Sequence, residues 1–178
     1  GYIASHVVKQ LLEETDYEII IIDNLSTGFN NTIDTLKSLD KSDTRIKFYN
    51  QDLSNWDKIE GIFKENNIKE IIHFAAFSQV GESMTDPLKY YINNTVNTTN
   101  LVKIASEYGV EKFVFSSTAA VFGEPNKEDI PIKENLETKP INPYGTSKLF
   151  SEAIIKDVAK INKNFKYVIF RYFNVAGA

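Results

Sequence analysis

The chain has 178 residues, of which 42% are hydrophobic and 25% charged, and its formal net charge is −4. This composition is typical of a globular domain and excludes a disordered or collagen-like chain. The sequence contains no cysteine, which excludes a disulfide scaffold and a cysteine nucleophile and favours a reducing, cytoplasmic location. The acidic balance and only two arginines argue against nucleic-acid binding. The longest aliphatic run, Ile19 to Ile22, is too short to cross a membrane.

Five short apolar runs alternate with amphipathic helical patterns along the whole chain. Most of the runs are apolar at consecutive positions, which is typical of parallel strands covered on both faces. This alternation of strand and helix predicts an α/β fold with a doubly wound parallel sheet. The predicted strands are Tyr17–Asp23, Arg45–Tyr49, Glu70–Ala76, Lys112–Ser117 and Tyr167–Phe173, and helical patterns include Ile3–Leu12 and Leu88–Ala105.

The first helix and the first strand have the pattern of a dinucleotide site. Gly1-Tyr2-Ile3-Ala4 leads directly into a helical pattern, and the next strand ends in Asp23. A glycine turn at a helix N-terminus suits a pyrophosphate, and an acid about 20 residues later accepts ribose hydroxyls. Because a carboxylate repels a 2′-phosphate, Asp23 predicts NAD rather than NADP. The alternative is that Asp23 is an ordinary turn residue.

A long segment without periodicity, Glu124 to Pro143, contains four of the five prolines. Loops of this length inside a compact α/β domain are usually functional, because their ordering costs entropy without adding to the core. A loose excursion is the alternative.

Tyr144 and Lys148 lie four residues apart at the start of a helical pattern, and therefore on one face of the helix. A tyrosine with an ordinary pKa of about 10 must lose about three units to act as a base near pH 7, and a neighbouring ammonium favours that loss. Chance alone predicts about one Tyr-x-x-x-Lys spacing in this chain, and a second one occurs at Tyr108 and Lys112. There, Gly109 interrupts the helix, so we expect that second pair to be fortuitous.

Ser116-Ser117-Thr118 ends a predicted strand, where ligands bind in open α/β sheets. These hydroxyls could also be simple caps. Together with Tyr144 and Lys148, this hydroxyl cluster marks a candidate site.

With these residues, the chain resembles the extended short-chain dehydrogenase/reductase family, whose fingerprint is G-x-x-G-x-x-G. Gly1 matches the second glycine, Ala4 stands at the third, and the first would precede the chain. The resemblance therefore implies that residues 1–178 are an NAD-binding domain fragment truncated at both ends, with its first strand missing and its substrate domain mostly absent. We expect the isolated fragment to be unstable and inactive.

Within this family, the chain is most similar to the UDP-glucose 4-epimerases. The similarity lies in His73-Phe74-Ala75-Ala76, Val80-Gly81-Glu82-Ser83, Pro87-Leu88-Lys89-Tyr90-Tyr91, Ser116 to Gly123 and Arg171-Tyr172-Phe173-Asn174. Nucleotide-sugar dehydratases of the family usually follow the threonine with Asp-Glu. Here Ala119-Ala120 occupies that place, so the resemblance argues against a dehydratase.

The resemblance implies a set of site residues. Catalysis would use Thr118, Tyr144 and Lys148. The substrate would contact Thr118, Tyr144 and Asn174. The cofactor contacts would be Gly1, Tyr2, Ile3, Asp23, Asn24, Ser26, Thr27, Gly28, Asp52, Leu53, Phe74, Ala75, Ala76, Ser78, Asn94, Ser116, Tyr144, Lys148 and Phe173. Phe74 and Phe173 could instead belong to the core. No metal site is expected, because the two histidines, His6 and His73, have no clustered ligands.

The implied reaction interconverts UDP-glucose and UDP-galactose. Tyr144 takes the proton of the sugar 4-hydroxyl, hydride passes to NAD, the 4-keto sugar turns over, and hydride returns to its other face. The alternatives are a 4-epimerase of an N-acetylated or uronic acid UDP-sugar, and a non-catalytic NAD-binding regulator. The expected partners are a UDP-sugar substrate and, for the complete protein, a second copy in a homodimer.

Overall fold

The computed structural model describes residues 1–176 and contains parallel strands alternating with helices. The elements in chain order are α1 (Tyr2–Glu14), β1 (Ile19–Asp23), α2 (Asn30–Leu39), β2 (Ile46–Asn50), α3 (Trp56–Glu65), β3 (Glu70–His73), α4 (Val80–Thr85), α5 (Pro87–Tyr90), a π-helical segment (Tyr91–Val96), α6 (Asn97–Glu107), β4 (Lys112–Thr118), 3₁₀ turns (Ala119–Phe122 and Lys127–Asp129), α7 (Pro143–Ile161) and β5 (Lys166–Tyr172). No helix among these is long and apolar enough to cross a bilayer.

The first compact unit, Gly1–Ile59, contains a two-stranded parallel sheet. β1 and β2 pair in register from Ile19 opposite Ile46 to Asp23 opposite Asn50. Their carboxyl ends therefore meet at one edge. The apolar side chains of α2 at Ile33 and Leu36 are buried, whereas the apolar face of α1 is only partly buried.

The second compact unit begins at Glu60 and contains a three-stranded parallel sheet of order β3-β4-β5. β4 is the central strand, and its Phe113 and Phe115 are buried. In the register, Thr118 at the end of β4 lies opposite Tyr172 at the end of β5. The polar end of β4 and the residues after β5 therefore meet at the carboxyl edge, where ligands bind in sheets of this kind.

The predicted α/β class with parallel sheets is confirmed, and every predicted strand exists with slightly different bounds. The strand predicted to end at Ala76 ends at His73, because the chain leaves the sheet at Phe74. Thr118, predicted to follow its strand, is the last residue of β4. Phe173, predicted inside the last strand, follows β5 instead.

The helical pattern predicted from Leu88 to Ala105 is not one regular α-helix. Between α5 and α6 the chain makes a π-helical segment, Tyr91–Val96. Such segments are rare and occur frequently at functional sites. This one contains the buried Asn94.

The proline-rich segment after β4 is anchored at its base by Gly123. This glycine has a φ of +66°, and a Cβ at this position would collide with the Lys139 carbonyl oxygen. Within the segment, the short turn Lys127–Asp129 carries a capping box between Asn126 and Asp129. Gly123 and Lys139 are therefore in close contact at the base of the segment.

Candidate functional site

The start of α7 carries the predicted tyrosine and lysine. The side chain of Asn142 caps the helix by accepting a hydrogen bond of 2.8 Å from the Gly145 amide. Pro143 occupies the first turn, where its missing amide hydrogen costs nothing. Tyr144 and Lys148 both lie within α7, as the spacing predicted. The competing pair is split between two elements, since Tyr108 caps the end of α6 and Lys112 begins β4.

Lys148 is buried against the end of β4, with only 3% of its surface exposed. Its Nζ donates a hydrogen bond of 2.8 Å to the Ser116 carbonyl oxygen and lies 4.8 Å from the centroid of the Phe115 ring. Burial lowers the pKa of Lys148 to about 7, because desolvation disfavours the charged form. The Lys148 ammonium is thus fixed in position, and it loses its proton at a lower pH than an exposed lysine does.

The Tyr144 phenol lies in a partly buried environment. Burial raises the pKa of Tyr144, and an interaction with the Thr118 hydroxyl offsets part of that effect. The expectation that Lys148 lowers this pKa is not met in this structure, because the ammonium is directed to the Ser116 carbonyl. Thr118 itself is held by a hydrogen bond of 3.1 Å, which its Oγ1 accepts from the Ala120 amide.

The side chain of Asn94 is buried and bonds the backbone of Phe77, so it does not face the solvent. It is 1% exposed. Its Oδ1 accepts from the Phe77 amide at 2.9 Å, and its Nδ2 donates to the Phe77 carbonyl at 3.0 Å and to Ser147 Oγ at 3.1 Å. Asn94 therefore joins α7 to the segment that follows β3. In that segment, Phe74 and Ala76 are partly buried, and Ala75 and Ser78 are exposed.

The residues after β5 are open to solvent at the same edge of the sheet. Phe173 is 65% exposed, so it does not belong to the core, and Asn174 is also exposed. Because Tyr172 lies opposite Thr118 in the register, Phe173 and Asn174 follow at the end of the strand beside Thr118. This placement suits the predicted contacts with nicotinamide and substrate.

In the first unit, the predicted adenosine residues gather at the carboxyl ends of β1 and β2. Asp23 Oδ1 accepts from the Leu25 amide at 2.7 Å, and Leu25 takes a positive φ of 58°. Asn24 Nδ2 donates to Asp52 Oδ2 at 2.5 Å. Hydrogen bonds from Ser54 keep the pKa of Asp52 below its usual value, with burial acting in the opposite direction and Asn24 adding to the lowering. Leu53 is partly buried, and Ser26 and Thr27 are exposed.

The donor set in this unit fits the adenosine half of a dinucleotide. The nitrogen of Gly1, which caps α1, lies 3.6 Å from Asp23 Oδ2, so the helix start and the acid are adjacent. Tyr2 and Ile3 form the first turn of α1. Gly28 lies beside the same carboxylate, because a Cβ at this position would be 3.5 Å from Asp23 Oδ1, an ordinary contact distance. A helix N-terminus beside a carboxylate suits a pyrophosphate and a ribose diol.

A buried histidine and a buried acid complete the description. His73 is buried between the rings of Phe113 and Phe115 and bonds Thr98 through Nε2 at 2.9 Å. Burial lowers the pKa of His73 to about 3, and the charge of Lys148 acts in the same direction. Residues 1–176 contain no group of three or more His, Asp or Glu side chains that could hold a metal ion. The sequence analysis missed Glu152, which is fully buried and bonded to Ser117 and Arg171.

Comparison with known proteins places the whole chain in one family. The model of the NAD dependent epimerase/dehydratase family matches residues 1–178. The chain belongs to this family. It is 44% identical to the UDP-glucose 4-epimerase of Streptococcus mutans over 179 aligned residues, which cover 100% of this chain and 50% of that protein.

Solved structures agree with the family assignment. The UDP-Glc/GlcNAc 4-epimerase from Campylobacter jejuni has a TM-score of 0.93 at 49% identity, covering 100% of this chain and 52% of that one. The UDP-glucose 4-epimerase from Bifidobacterium longum, solved with NAD+ and UDP, has a TM-score of 0.89 at 38% identity, covering 97% of this chain and 50% of that one. The chain thus spans about half the length of the relatives it matches.

Proposed function

We propose that the complete protein is an NAD-dependent UDP-sugar 4-epimerase that interconverts UDP-glucose and UDP-galactose. The observation that carries the proposal is the convergence of Thr118, Tyr144 and Lys148 where β4 ends and α7 begins. The family assignment and the identity to UDP-glucose 4-epimerases support the same function.

In the proposed reaction, Tyr144 is the general base for the sugar 4-hydroxyl and Thr118 hydrogen-bonds that hydroxyl. The interaction between the Thr118 and Tyr144 side chains supports this role, since it already acts to lower the pKa of the phenol. Proton removal from the hydroxyl allows hydride to leave C4. Return of the proton from Tyr144 accompanies return of hydride to the opposite face of the 4-keto sugar, so atoms and electrons balance over one cycle.

In this proposal NAD is the cofactor, and each unit carries predicted contact residues for it. Asp23, Asn24 and Asp52 would contact its adenosine half, and Lys148, Ser116 and Phe173 would contact its nicotinamide half. When bound, NAD would accept and return the hydride, and its cationic ring would lower the pKa of Tyr144. Lys148 would hold the nicotinamide ribose, for which its fixed position at the Ser116 carbonyl is favourable.

A second candidate substrate is an N-acetylated UDP-sugar. The observation that favours it is the similarity to the UDP-Glc/GlcNAc 4-epimerase from Campylobacter jejuni. The chemistry at C4 is the same for both sugars, so Thr118, Tyr144 and Lys148 serve either one.

We also propose that the complete protein is a homodimer. Leu88, Ile92 and Val96 are spaced four residues apart along the helical segment from α5 to α6, and they are 69%, 57% and 42% exposed. Residues at this spacing lie on one side of a helix, so they form an apolar stripe of the kind that interfaces cover.

The experiment that tests the function is an assay of the complete protein with NAD and, separately, UDP-galactose and UDP-N-acetylgalactosamine. We expect conversion of UDP-galactose to UDP-glucose without net consumption of NAD. Conversion of the N-acetylated sugar alone would favour the second candidate, and failure with both sugars would contradict the proposed function.

A further inference from the structure

A buried carboxylate lies on the catalytic helix, two turns after Tyr144. Tyr144, Lys148 and Glu152 are four residues apart in α7, so they follow one another along one side of the helix. Glu152 is fully buried. A charged group in such a position is destabilising unless it is paired and hydrogen-bonded.

The carboxylate is fully satisfied by three side chains. Oε1 accepts from Ser117 Oγ at 2.6 Å and from Arg171 Nε at 3.0 Å. Oε2 accepts from Arg171 Nη2 at 2.7 Å and from Lys156 Nζ at 3.1 Å. Burial alone would raise the pKa of Glu152, but the bonds from Arg171, Ser117 and Lys156 outweigh it and lower the pKa. The group is therefore a carboxylate, and its position is fixed by four hydrogen bonds.

Two of the three partners of Glu152 lie on neighbouring strands. Ser117 on β4 and Arg171 on β5 lie opposite each other in the parallel register. Ser117 precedes Thr118, and Arg171 lies two residues before Phe173. The Arg171 guanidinium also stacks over the Phe122 ring at 4.8 Å. One carboxylate thus joins the helix that carries Tyr144 to both strands whose ends form the site.

We propose that Glu152 is a positioning residue for catalysis. Glu152 accepts hydrogen bonds from both Ser117 and Arg171 and so fixes the position of α7 along the sheet. The position of α7 in turn places Tyr144 and Lys148 relative to Thr118. This inference rests on the proposed epimerase function. A purely stabilising ion pair would make no difference to the rate of a folded, cofactor-loaded site, whereas displacements of about 1 Å can lower rates about 10²-fold.

The test compares the complete protein with its Ser117→Ala, Glu152→Gln and Asp157→Asn variants. Asp157→Asn is the matched control, because Asp157 is an exposed carboxylate on the same helix, paired with Lys160. Ser117→Ala removes one hydroxyl and keeps the Arg171 pair, so it remains informative if Glu152→Gln does not fold. For each variant, NAD content, melting temperature, KM for the UDP-sugar and kcat per NAD-loaded site are measured.

We expect kcat per loaded site to fall about 10-fold in Ser117→Ala and more in Glu152→Gln, with KM changed less than about twofold. The control should keep its kcat. If kcat per loaded site in Ser117→Ala equals that of the unsubstituted protein while only the melting temperature falls, Glu152 is a stabilising residue and the inference is wrong. An inactive unsubstituted protein would contradict the proposed function itself and the inference with it.

Discussion

At the scale of single residues, the proposed chemistry depends on the Tyr144 phenol and the groups around it. Its pKa is raised by burial and brought back in part by Thr118, while the Lys148 ammonium is held by the Ser116 carbonyl. In this state the phenol keeps its proton at neutral pH. In the proposed reaction, the positive charge of the bound cofactor would therefore have to help lower the pKa of Tyr144.

The first prediction concerns the base. Tyr144→Phe in the complete protein should retain NAD but lose about 10²–10⁴-fold in kcat, because general base catalysis typically contributes that much. Tyr108→Phe is the matched control, since its hydroxyl bonds Glu60 at 2.7 Å and lies outside the site. It should lower the melting temperature slightly, because one partly buried hydrogen bond is lost, and leave kcat unchanged. Steady-state rates and bound NAD are measured, and a fully active Tyr144→Phe variant would refute the assignment.

The second prediction concerns cofactor choice. The complete protein should bind NAD about 10²-fold more tightly than NADP, because the Asp23 carboxylate repels a 2′-phosphate. Asp23→Asn keeps an oxygen that can accept from the Leu25 amide and removes the negative charge. We therefore expect it to reduce the difference in affinity between NAD and NADP. Asp34→Asn, on an exposed part of α2, is the control. Titration with both cofactors at fixed salt is the measurement, and equal affinities in the unsubstituted protein would exclude this role for Asp23.

At the scale of secondary-structure elements, the close approach of α7 to the turn after β4 places the predicted catalytic residues Tyr144 and Thr118. A Cβ at Gly145 would lie 2.7 Å from the Ala120 carbonyl oxygen, a distance that real Cβ atoms do not reach. The glycine next to Tyr144 thus lets the helix start directly against the turn capped by Thr118.

The third prediction follows from this contact. Gly145→Ala should displace the start of α7, lower stability by about 1–3 kcal/mol and lower kcat about 10²-fold. Gly61→Ala is the control, because Gly61 lies within α3 with nothing near its missing Cβ, and alanine there should stabilise the helix by about 0.5–1 kcal/mol. Denaturant unfolding gives the stability of the Gly145→Ala and Gly61→Ala variants, and steady-state kinetics give their kcat. Equal effects of both substitutions would contradict the role of the contact.

The elements with strong local signals could be predicted from the sequence. The positions of the strands along the chain follow from the apolar runs. The start of α7 follows from the capping pattern Asn142-Pro143. The π-helical segment could not be predicted, because its stability comes from Asn94 bonding Phe77 and Ser147 far along the chain. Glu152 was missed for a similar reason. A charged residue on a helix usually indicates a solvated face, and its partners Ser117 and Arg171 become neighbours only in the folded sheet.

At the scale of the whole molecule, the predicted residues divide between the two compact units. Those expected to contact adenosine lie in Gly1–Ile59, and those expected to carry out the chemistry lie in the unit that begins at Glu60. The second unit also carries the apolar stripe of Leu88, Ile92 and Val96. That stripe gives the homodimer proposal a specific surface.

The fourth prediction tests this surface. Ile92→Glu should convert the complete protein from dimer to monomer, because a charge would be buried in an apolar interface. Ile161→Glu is the control, since Ile161 is 85% exposed at the end of α7, away from the stripe. Sedimentation velocity is the measurement. A dimer that persists in Ile92→Glu, or a monomeric unsubstituted protein, would rule out this interface.

The most direct test of the central claim follows the hydrogen at C4 of the sugar. The complete protein with NAD is given UDP-galactose that carries deuterium at C4, and the product is analysed by mass spectrometry and NMR. Because hydride leaves C4 and returns to the opposite face within one site, we expect UDP-glucose that retains the deuterium at C4, with no net NADH. Product that has exchanged the label with solvent, or NADH that accumulates in step with a 4-keto sugar, would contradict the account.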